Sequence, residues 1–205
     1  TPLYSSAASD VYKRQGGDYL MRDVFPLDPS HKCVGPAITV EYRLISKAAF
    51  EEQRKQAPVS SRNMMGEVWE KLQPGQVIVV GGTGGGACIC GDCISTGFKT
   101  RGAAGIVTDG LVRDTPFIRT LHLPVFTLKG MGTPGFMPPL SNGYAVIQGS
   151  INVAVTCGGV NVNPGDIIFG DSDGVIAIPA ARADEVAEAS YAEEQLEGLS
   201  RKLLL

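Results

Sequence analysis

Three aspartates and one arginine are the residues of this sequence whose types and spacing best suit chemistry. Arg113 and Asp114 are adjacent, Asp109 lies a few residues before them, and Asp92 precedes all three along the chain. Carboxylate oxygens are the ligands that Mg²⁺ and Mn²⁺ prefer, and because these ions keep several waters, one or two protein carboxylates suffice. An arginine beside them can clamp a substrate carboxylate through two parallel hydrogen bonds. The four side chains predict a cation site that also binds a carboxylic acid.

These residues also have simpler explanations, which the sequence alone leaves open. Asp92 stands where a helix is predicted to begin, and the helix dipole favours a carboxylate there without any function. Arg113 and Asp114 could form an ordinary surface ion pair at a helix start. The functional interpretation is favoured if the surrounding elements bring the aspartates together.

The elements around these residues predict that they meet at one edge of a parallel sheet. Residues 76–80 have the pattern of a buried strand, 92–101 of a helix and 105–108 of a second strand. A right-handed crossover makes the two strands parallel neighbours, so the turns that follow them lie side by side. Open α/β sheets bind ligands at this edge. We therefore expect the three aspartates to converge there.

A cluster of glycines, residues 81–86, follows the first of these strands and precedes the helix. Free backbone N–H groups in such a segment can receive a carboxylate or a phosphate. No Gly-Lys-Ser/Thr follows, and the dinucleotide pattern is matched only in a degenerate form at Gly82, Gly84 and Ala87. Nucleotide binding is therefore the weakest functional hypothesis. The cluster could also serve tight packing alone, because glycine adopts backbone conformations closed to other residues.

The cysteines and histidines do not complete a metal set or a nucleophile set. Cys88, Cys90 and Cys93 lack a fourth cysteine or a nearby histidine, so small buried residues are a better interpretation than zinc ligands. The two histidines, His31 and His122, lie far from any nucleophile-elbow pattern. The five cysteines are unlike the framework of a small secreted domain, so we expect reduced thiols in a cytoplasmic protein.

Composition limits the class of protein. The chain has 205 residues, of which 43% are hydrophobic and 19% charged, which is typical of one globular domain. A net charge of -3 with scattered Lys and Arg offers no basic surface, so no nucleic-acid partner is expected. The sequence has no run of about 20 apolar residues and no basic-then-apolar leader, so neither a membrane anchor nor export is expected.

The rest of the chain predicts further elements of an α/β domain. Residues 1–34 are predicted to be an N-terminal arm or helix region and 35–205 a single domain. Further strands are predicted at 36–42, 123–128 and in short runs between 144 and 178, and further helices at 46–62, 64–72 and 114–120. The end of the chain has apolar residues in steps of three and four, as an amphipathic helix requires. They are Val186, Ala189, Ala192, Leu196, Leu199 and Leu203.

Several segments together resemble the 4-hydroxy-4-methyl-2-oxoglutarate aldolase family, which also contains proteins similar to regulator of ribonuclease activity A. The most specific match is the block from Arg101 to Asp114, which contains Asp109-Gly110 and Val112-Arg113-Asp114. The resemblance extends from about Gly35 to Leu199. Its other matching segments are Gly35-Pro36-Ala37, Thr39-Val40, Pro74-Gly75, Val77-Ile78-Val79-Val80, Gly91-Asp92 and Pro164-Gly165-Asp166-Ile167-Ile168.

The resemblance implies an α/β fold with a compact β/β/α swivelling-domain-like core and a C-terminal helix. It also implies a homotrimer or hexamer with active sites between subunits. The implied activity is that of a class II aldolase, which uses Mg²⁺ or Mn²⁺ to cleave a 4-hydroxy-2-oxo acid and release pyruvate. Oxaloacetate decarboxylation passes through the same enolate, whose negative oxygen a metal stabilises, so it is an expected side activity.

The resemblance also assigns roles to individual residues. In such aldolases the arginine that matches Arg113 holds the substrate, and the aspartate that matches Asp114 binds the metal. Asp92 matches the acidic residue that handles water, and Glu194 matches a glutamate from the neighbouring subunit. The backbone segment that holds the 2-oxo acid matches Gly91, Asp92, Cys93 and Ile94.

Two departures from the family pattern lie beside the substrate. The usual Asp-Gly-Gly-Gly-Asp is replaced here by residues 81–86, and Gly-Glu is common where this chain has Gly91-Asp92. The resemblance therefore leaves the identity of the substrate open. The alternative function is that of a non-catalytic regulator that binds a ribonuclease or another protein. The retained Asp92, Arg113 and Asp114 favour the enzyme.

Overall fold

An eight-stranded mixed sheet organises the computed structural model, which describes residues 19–56, 65–83, 87–133 and 144–204. The strands are β1 (Val24–Pro26), β2 (Cys33–Ser46), β3 (Val77–Gly81), β4 (Cys88–Cys90), β5 (Gly105–Thr108), β6 (Leu111–Val112), β7 (Val125–Leu128), β8 (Tyr144–Ile151), β9 (Val155–Cys157), β10 (Val160–Val162), β11 (Ile167–Asp171) and β12 (Gly174–Ile178). The α-helices are α1 (Lys47–Gln56), α2 (Gly66–Lys71), α3 (Asp92–Thr100), α4 (Thr115–Thr120) and α5 (Ala183–Leu204).

The order of the strands brings the large sheet close to a closed barrel. Its strands run β1-β7-β5-β3-β2-β11-β12, and β8 pairs with β2 beside that path. Leu20 forms a bridge with Ile176 of β12, so the chain just before β1 joins the opposite edge of the sheet. The helix α5 follows the last strand. The predicted α/β fold with a C-terminal helix is confirmed.

The strand β3 explains how the predicted strand–helix–strand unit forms. It pairs in parallel with both β2 and β5. Because successive side chains of a strand point to opposite faces, Ile78 and Val80 pack in one core with Phe98 of α3, while Val77 and Val79 pack in the other. Burial on both faces accounts for the continuous apolar run of this strand. The parallel pairing puts the ends of β3 and β5 side by side, as predicted.

The sequence predicted that the domain starts at residue 35, and the sheet includes residues before that point. The strand β1 pairs with β7, and β2 begins at Cys33. Met21, Val24 and Leu27 are buried core residues. Residues 1–18, most of the predicted arm, lie outside the described residues, as do residues 57–62 of the helix and loop predicted over 46–62. Among the described helices, none has the length and apolar character needed to span a membrane.

The helix α5 forms as predicted, and only the first part of its apolar pattern is buried. Val186 packs against Ile176 and Ile178 of β12, and Ser190 and Glu194 are the other buried residues of the helix. By contrast, Leu196, Leu199 and Leu203 are 63%, 59% and 87% exposed. The spacing correctly predicted a helix, and the leucines in the second half of its apolar pattern are exposed in this chain.

The helices α2 and α3 approach closely where Gly97 of α3 faces the indole ring of Trp69 in α2. A Cβ atom at Gly97 would lie 2.6 Å from Cε2 and Cζ2 of Trp69. The ring cannot easily move away, because Phe98 packs against it edge-on with centroids 6.4 Å apart and the Arg101 guanidinium lies 4.9 Å from its centroid.

Gly97→Ala is therefore expected to lower the free energy of unfolding by about 1–3 kcal/mol, the usual cost of an overpacked contact. Gly198→Ala in α5 is the matched control, because a Cβ atom there has no neighbour within 4 Å. It should raise stability by up to about 1 kcal/mol through helix propensity alone. Urea denaturation of both variants measures the difference, and equal shifts in the two would contradict the steric argument.

Candidate active site

A short parallel pair of strands, β4 and β6, builds the candidate site. The Leu111 N–H donates to the carbonyl oxygen of Ala87 over 2.8 Å, and the Arg113 N–H donates to that of Cys90 over 3.0 Å. The chain leaves β4 at Gly91 and leaves β6 at Arg113. The pairing therefore sets the start of α3 directly against Arg113 and Asp114.

The contacts at this junction join three of the predicted site residues. The Asp92 N–H donates to Oδ2 of Asp114 over 3.3 Å, and Nε of Arg113 lies 3.5 Å from the same oxygen. The side chains of Arg113 and Asp114 are 36% and 39% exposed, so a ligand can reach both. We call Gly91, Asp92, Arg113 and Asp114 the candidate site.

Gly91 permits this close approach because it has no side chain. A Cβ atom here would clash with Oδ2 of Asp114 and would lie 2.9 Å from Nε of Arg113. The backbone of Gly91 is extended, with φ at −134°, a conformation that any residue adopts. Glycine is therefore required for the space beside Asp114 and Arg113, and not for the backbone conformation.

Asp114 adopts a left-handed backbone conformation, with φ at 58° and ψ at 34°. Its carbonyl oxygen accepts hydrogen bonds from the N–H groups of Phe117 and Ile118, which begin α4. Asp and Asn enter this conformation more readily than most residues.

The segment predicted to hold the 2-oxo acid forms the first turn of α3. Gly91 is buried, Asp92 and Ile94 are half-buried, and Cys93 is exposed. Oδ1 of Asp92 accepts the Cys93 N–H over 2.7 Å. One oxygen of the Asp92 carboxylate is thus hydrogen-bonded within the first turn of α3.

Asp109 lies apart from the contacts of the candidate site, which corrects the prediction that three aspartates converge. Its Oδ1 accepts the Oγ1 hydroxyl of Thr83 over 2.7 Å. Across residues 19–56, 65–83, 87–133 and 144–204, no group of three or more His, Cys, Asp or Glu side chains could hold a metal ion. The sequence missed Thr83, which is only 1% exposed, because it lies within the glycine cluster and has no periodic signal of its own.

Burial raises the pKa of Asp109 above its ordinary value of 3.8, while hydrogen bonds from Thr83 and from the Gly158 amide oppose that rise. The folded protein therefore holds this proton more tightly than the unfolded chain does. The resulting stabilisation is fully present below pH 3.8 and is lost as the pH rises through the folded pKa.

Asp109→Asn should remove this dependence, because asparagine does not titrate and keeps an oxygen that accepts the Thr83 hydroxyl. The quantity to follow is the stability difference, which is the free energy of unfolding of the wild type minus that of the variant. We expect this difference to fall as the pH rises across this window and then to stay level. Urea denaturation at a series of pH values measures it. Parallel curves for the two proteins would show that burial does not raise the pKa of Asp109.

Two of the three cysteines near the site, Cys88 and Cys90, are buried as predicted, whereas the prediction was wrong for Cys93. Of the five free cysteines, Cys93 is exposed and the others are buried. Burial raises the pKa of Cys90 to about 12, and burial also raises that of Cys88, opposed by the charge of Arg113. These two thiols therefore stay protonated at neutral pH and are poor metal ligands.

Glu194 is buried on α5, where it forms an ion pair with a residue of the same helix. Its Oε1 lies 2.6 Å from a terminal guanidinium nitrogen of Arg201, and the Glu194 side chain is only 9% exposed. Its predicted contribution to the active site of a neighbouring subunit stays a prediction.

Asp114 and its surroundings fit a hard divalent cation. Among the described residues, both contacts of the Asp114 carboxylate use Oδ2, so Oδ1 is the oxygen that would bind Mg²⁺ or Mn²⁺. The missing side chain of Gly91 allows that carboxylate and the Arg113 side chain to pack against the backbone at this point. One protein ligand is sufficient, because such ions keep several waters.

The fold and the site together define an α/β protein with an accessible aspartate–arginine pair at the edge of a barrel-like sheet. The family model described as RraA-like, Aldolase/RraA, matches residues 5–177. The chain belongs to this RraA-like family. It is similar to RraAS2 of Streptomyces coelicolor, described as an unusual member of the RNase ES inhibitor RraA protein family, with 30% identity and a TM-score of 0.76. The match covers 96% of this chain and 90% of that one.

Two curated relatives extend the comparison. A protein of Halalkalibacterium halodurans, named "Putative 4-hydroxy-4-methyl-2-oxoglutarate aldolase", is 32% identical over 174 residues, which are 82% of this chain and 70% of that protein. Protein DlpA of Legionella pneumophila is 30% identical over 189 residues, which are 92% of this chain. This chain spans only 28% of the length of DlpA, so that protein is no guide to its whole function.

Proposed function

We propose that this protein is a divalent-metal-dependent aldolase that cleaves a 4-hydroxy-2-oxo acid and releases pyruvate. The observation that carries the proposal is the contact of Asp92, Arg113 and Asp114 beside Gly91, whose lack of a side chain permits it. Membership of the RraA-like family and the name of the relative from Halalkalibacterium halodurans support it.

Each residue of the site has a distinct part in this reaction. Asp114 would hold Mg²⁺ or Mn²⁺, which acts as a Lewis acid toward the oxygen that becomes negative when the carbon–carbon bond breaks. Arg113 binds the carboxylate of the 2-oxo acid through its guanidinium. The backbone of residues 91–94 lines the other side of the ligand.

Asp92 handles the protons of the reaction. Its Oδ1 is held by the Cys93 N–H, so its Oδ2 orients the water that removes the proton from the C4 hydroxyl. When the bond between C3 and C4 breaks, its electron pair passes to the pyruvate enolate, and C4 leaves as a carbonyl carbon. The proton then returns to C3 of the enolate. Oxaloacetate gives the same enolate by loss of CO₂, so we propose its decarboxylation as a side activity.

The proposal includes the assembly and location expected of such an enzyme. The chain would form a homotrimer or hexamer in the cytoplasm, and Glu194 of a neighbouring subunit would complete each site. The leucines of α5 that are exposed here, Leu196, Leu199 and Leu203, are consistent with a helix that is covered in an assembly.

A second candidate function is that of a regulator that binds a ribonuclease. The likeness to RraAS2, whose family is described as RNase ES inhibitors, is the observation that favours it. Such a protein would not need an accessible aspartate beside an arginine, and for this reason we prefer the enzyme.

The experiment that tests the proposal is a panel of 4-hydroxy-2-oxo acids and oxaloacetate, with pyruvate release followed by a coupled dehydrogenase. Activity should require Mg²⁺ or Mn²⁺, be abolished by EDTA and return when the metal is added back. Full activity after removal of metal would reject the metal-dependent mechanism. Absence of activity on the whole panel, together with co-purification of a ribonuclease, would favour the regulator.

A further inference from the structure

The hydrogen-bonded pair of Thr83, which is buried, and Asp109, which is half-buried, has no part in the reaction described above. The Thr83 hydroxyl donates to Oδ1 of Asp109 over 2.7 Å. This hydrogen bond joins the chain after β3 to the turn after β5.

The turn that carries Asp109 is fixed on the sheet. The Gly110 N–H donates to Oγ1 of Thr108 over 2.9 Å, and the Gly110 carbonyl oxygen accepts the Thr127 hydroxyl over 2.6 Å and the Leu128 N–H over 2.9 Å. Strands β5 and β7 therefore anchor this turn. Because this anchored turn holds Asp109, the carboxylate of Asp109 determines where the Thr83 side chain lies.

The contacts continue from this pair to the candidate site. A Cβ atom at Gly110 would lie 2.7 Å from the carbonyl oxygen of Ala87 and 3.1 Å from Oγ1 of Thr83. Leu111 and Arg113 then make the two hydrogen bonds that pair β6 with β4. Thr83 and Ala87 thus both lie against Gly110, four residues apart on the chain that enters β4.

We propose that Asp109, acting through Thr83, is a positioning residue that fixes β4 and Gly91 against Arg113 and Asp114. It sets the affinity for the 2-oxo acid and does not bind the metal. The naming of this ligand rests on the proposed function, whereas the positioning of β4 does not.

The kinetic test compares Thr83→Val, which removes the hydroxyl from a side chain of nearly the same shape, with Thr83→Ser, which keeps it. Because the backbone of residues 91–94 would be less firmly positioned for the ligand, KM for the 4-hydroxy-2-oxo acid should rise roughly tenfold in Thr83→Val. Because ground state and transition state lose the same binding, kcat should stay within about twofold. Thr83→Ser should restore KM. An unchanged KM in Thr83→Val, or equal losses in both variants, would overturn the proposal.

A second measurement does not depend on turnover. Amide hydrogen exchange at Leu111 and Arg113, whose N–H groups hold β6 on β4, should be faster in Thr83→Val than in the wild type or Thr83→Ser. If the wild type shows no lyase activity, the proposed function fails, and this exchange decides the positioning role alone. Equal exchange in all three proteins would overturn it.

A third experiment measures the binding of Mn²⁺ alone to the Asp109→Asn variant and to the wild type. This variant should bind Mn²⁺ with the affinity of the wild type, because Asp109 is bonded to Thr83 and not to the site. Loss of Mn²⁺ binding would make Asp109 a metal ligand and would overturn the proposal.

Discussion

Asp114→Asn is expected to lower kcat/KM for pyruvate release by about a thousandfold or more, because a metal ion contributes several kcal/mol to stabilising such a transition state. Asparagine has the shape of aspartate but lacks the charge that holds a divalent cation. It also tolerates the left-handed backbone at this position, where φ is 58°. The fold should therefore survive, which would not be assured for Asp114→Ala.

Steady-state kinetics and Mn²⁺ titration measure this effect, and thermal unfolding checks the fold. Asp184→Asn is the matched control, since Asp184 is an exposed carboxylate in the first turn of α5. Its kinetics and its Mn²⁺ affinity should equal those of the wild type. If Asp114→Asn keeps both, Asp114 does not bind the metal, and the chemistry assigned to this site is wrong.

The parts of the fold that could be predicted from sequence are those with a strong local pattern. The run Val77–Gly81 is apolar and β-branched because β3 is buried on both faces, so it has few alternatives to a central strand. The helix α3 and the strand β5 follow at the spacing that a right-handed crossover needs. These elements were enough to place the ends of β3 and β5 side by side and to bring Asp92 to Arg113 and Asp114.

The direction of the Asp109 side chain could not be predicted in the same way. Topology determines at which edge of the sheet a residue lies, but the turn between β5 and β6 determines which way it points. That turn is set by distant hydrogen bonds, from Thr127 and Leu128 to Gly110, that leave no periodic trace in the sequence. Asp109 therefore lies at the predicted edge of the sheet, and its side chain contacts Thr83.

The short strands were missed for a related reason. β4 has 3 residues and β6 has 2, too few for an alternating pattern, and they form because Ala87 and Cys90 accept hydrogen bonds from residues far along the chain. Yet this pair holds the candidate site together. The best-predicted elements supply the frame of this protein, while the least predictable ones set the distances on which its chemistry depends.

Gly91→Ala is the second change expected to have a large effect, although it adds only one methyl group. Its Cβ atom would clash with Oδ2 of Asp114 and would lie 2.9 Å from Nε of Arg113, so at least one of these side chains must move. A displacement of about 1 Å at a reacting centre can cost roughly a hundredfold in rate. We therefore expect kcat/KM to fall by about a hundredfold or more.

This loss should occur with little change in stability, and that combination distinguishes a crowded site from a damaged fold. The backbone of Gly91 is extended and accepts alanine without strain, and both side chains that must move are more than one-third exposed. Kinetics and urea denaturation measure the two effects, with Gly198→Ala as the control that adds a methyl group where nothing lies within 4 Å. Wild-type kinetics in Gly91→Ala would mean that the close approach of Asp114 and Arg113 to Gly91 is not needed for activity.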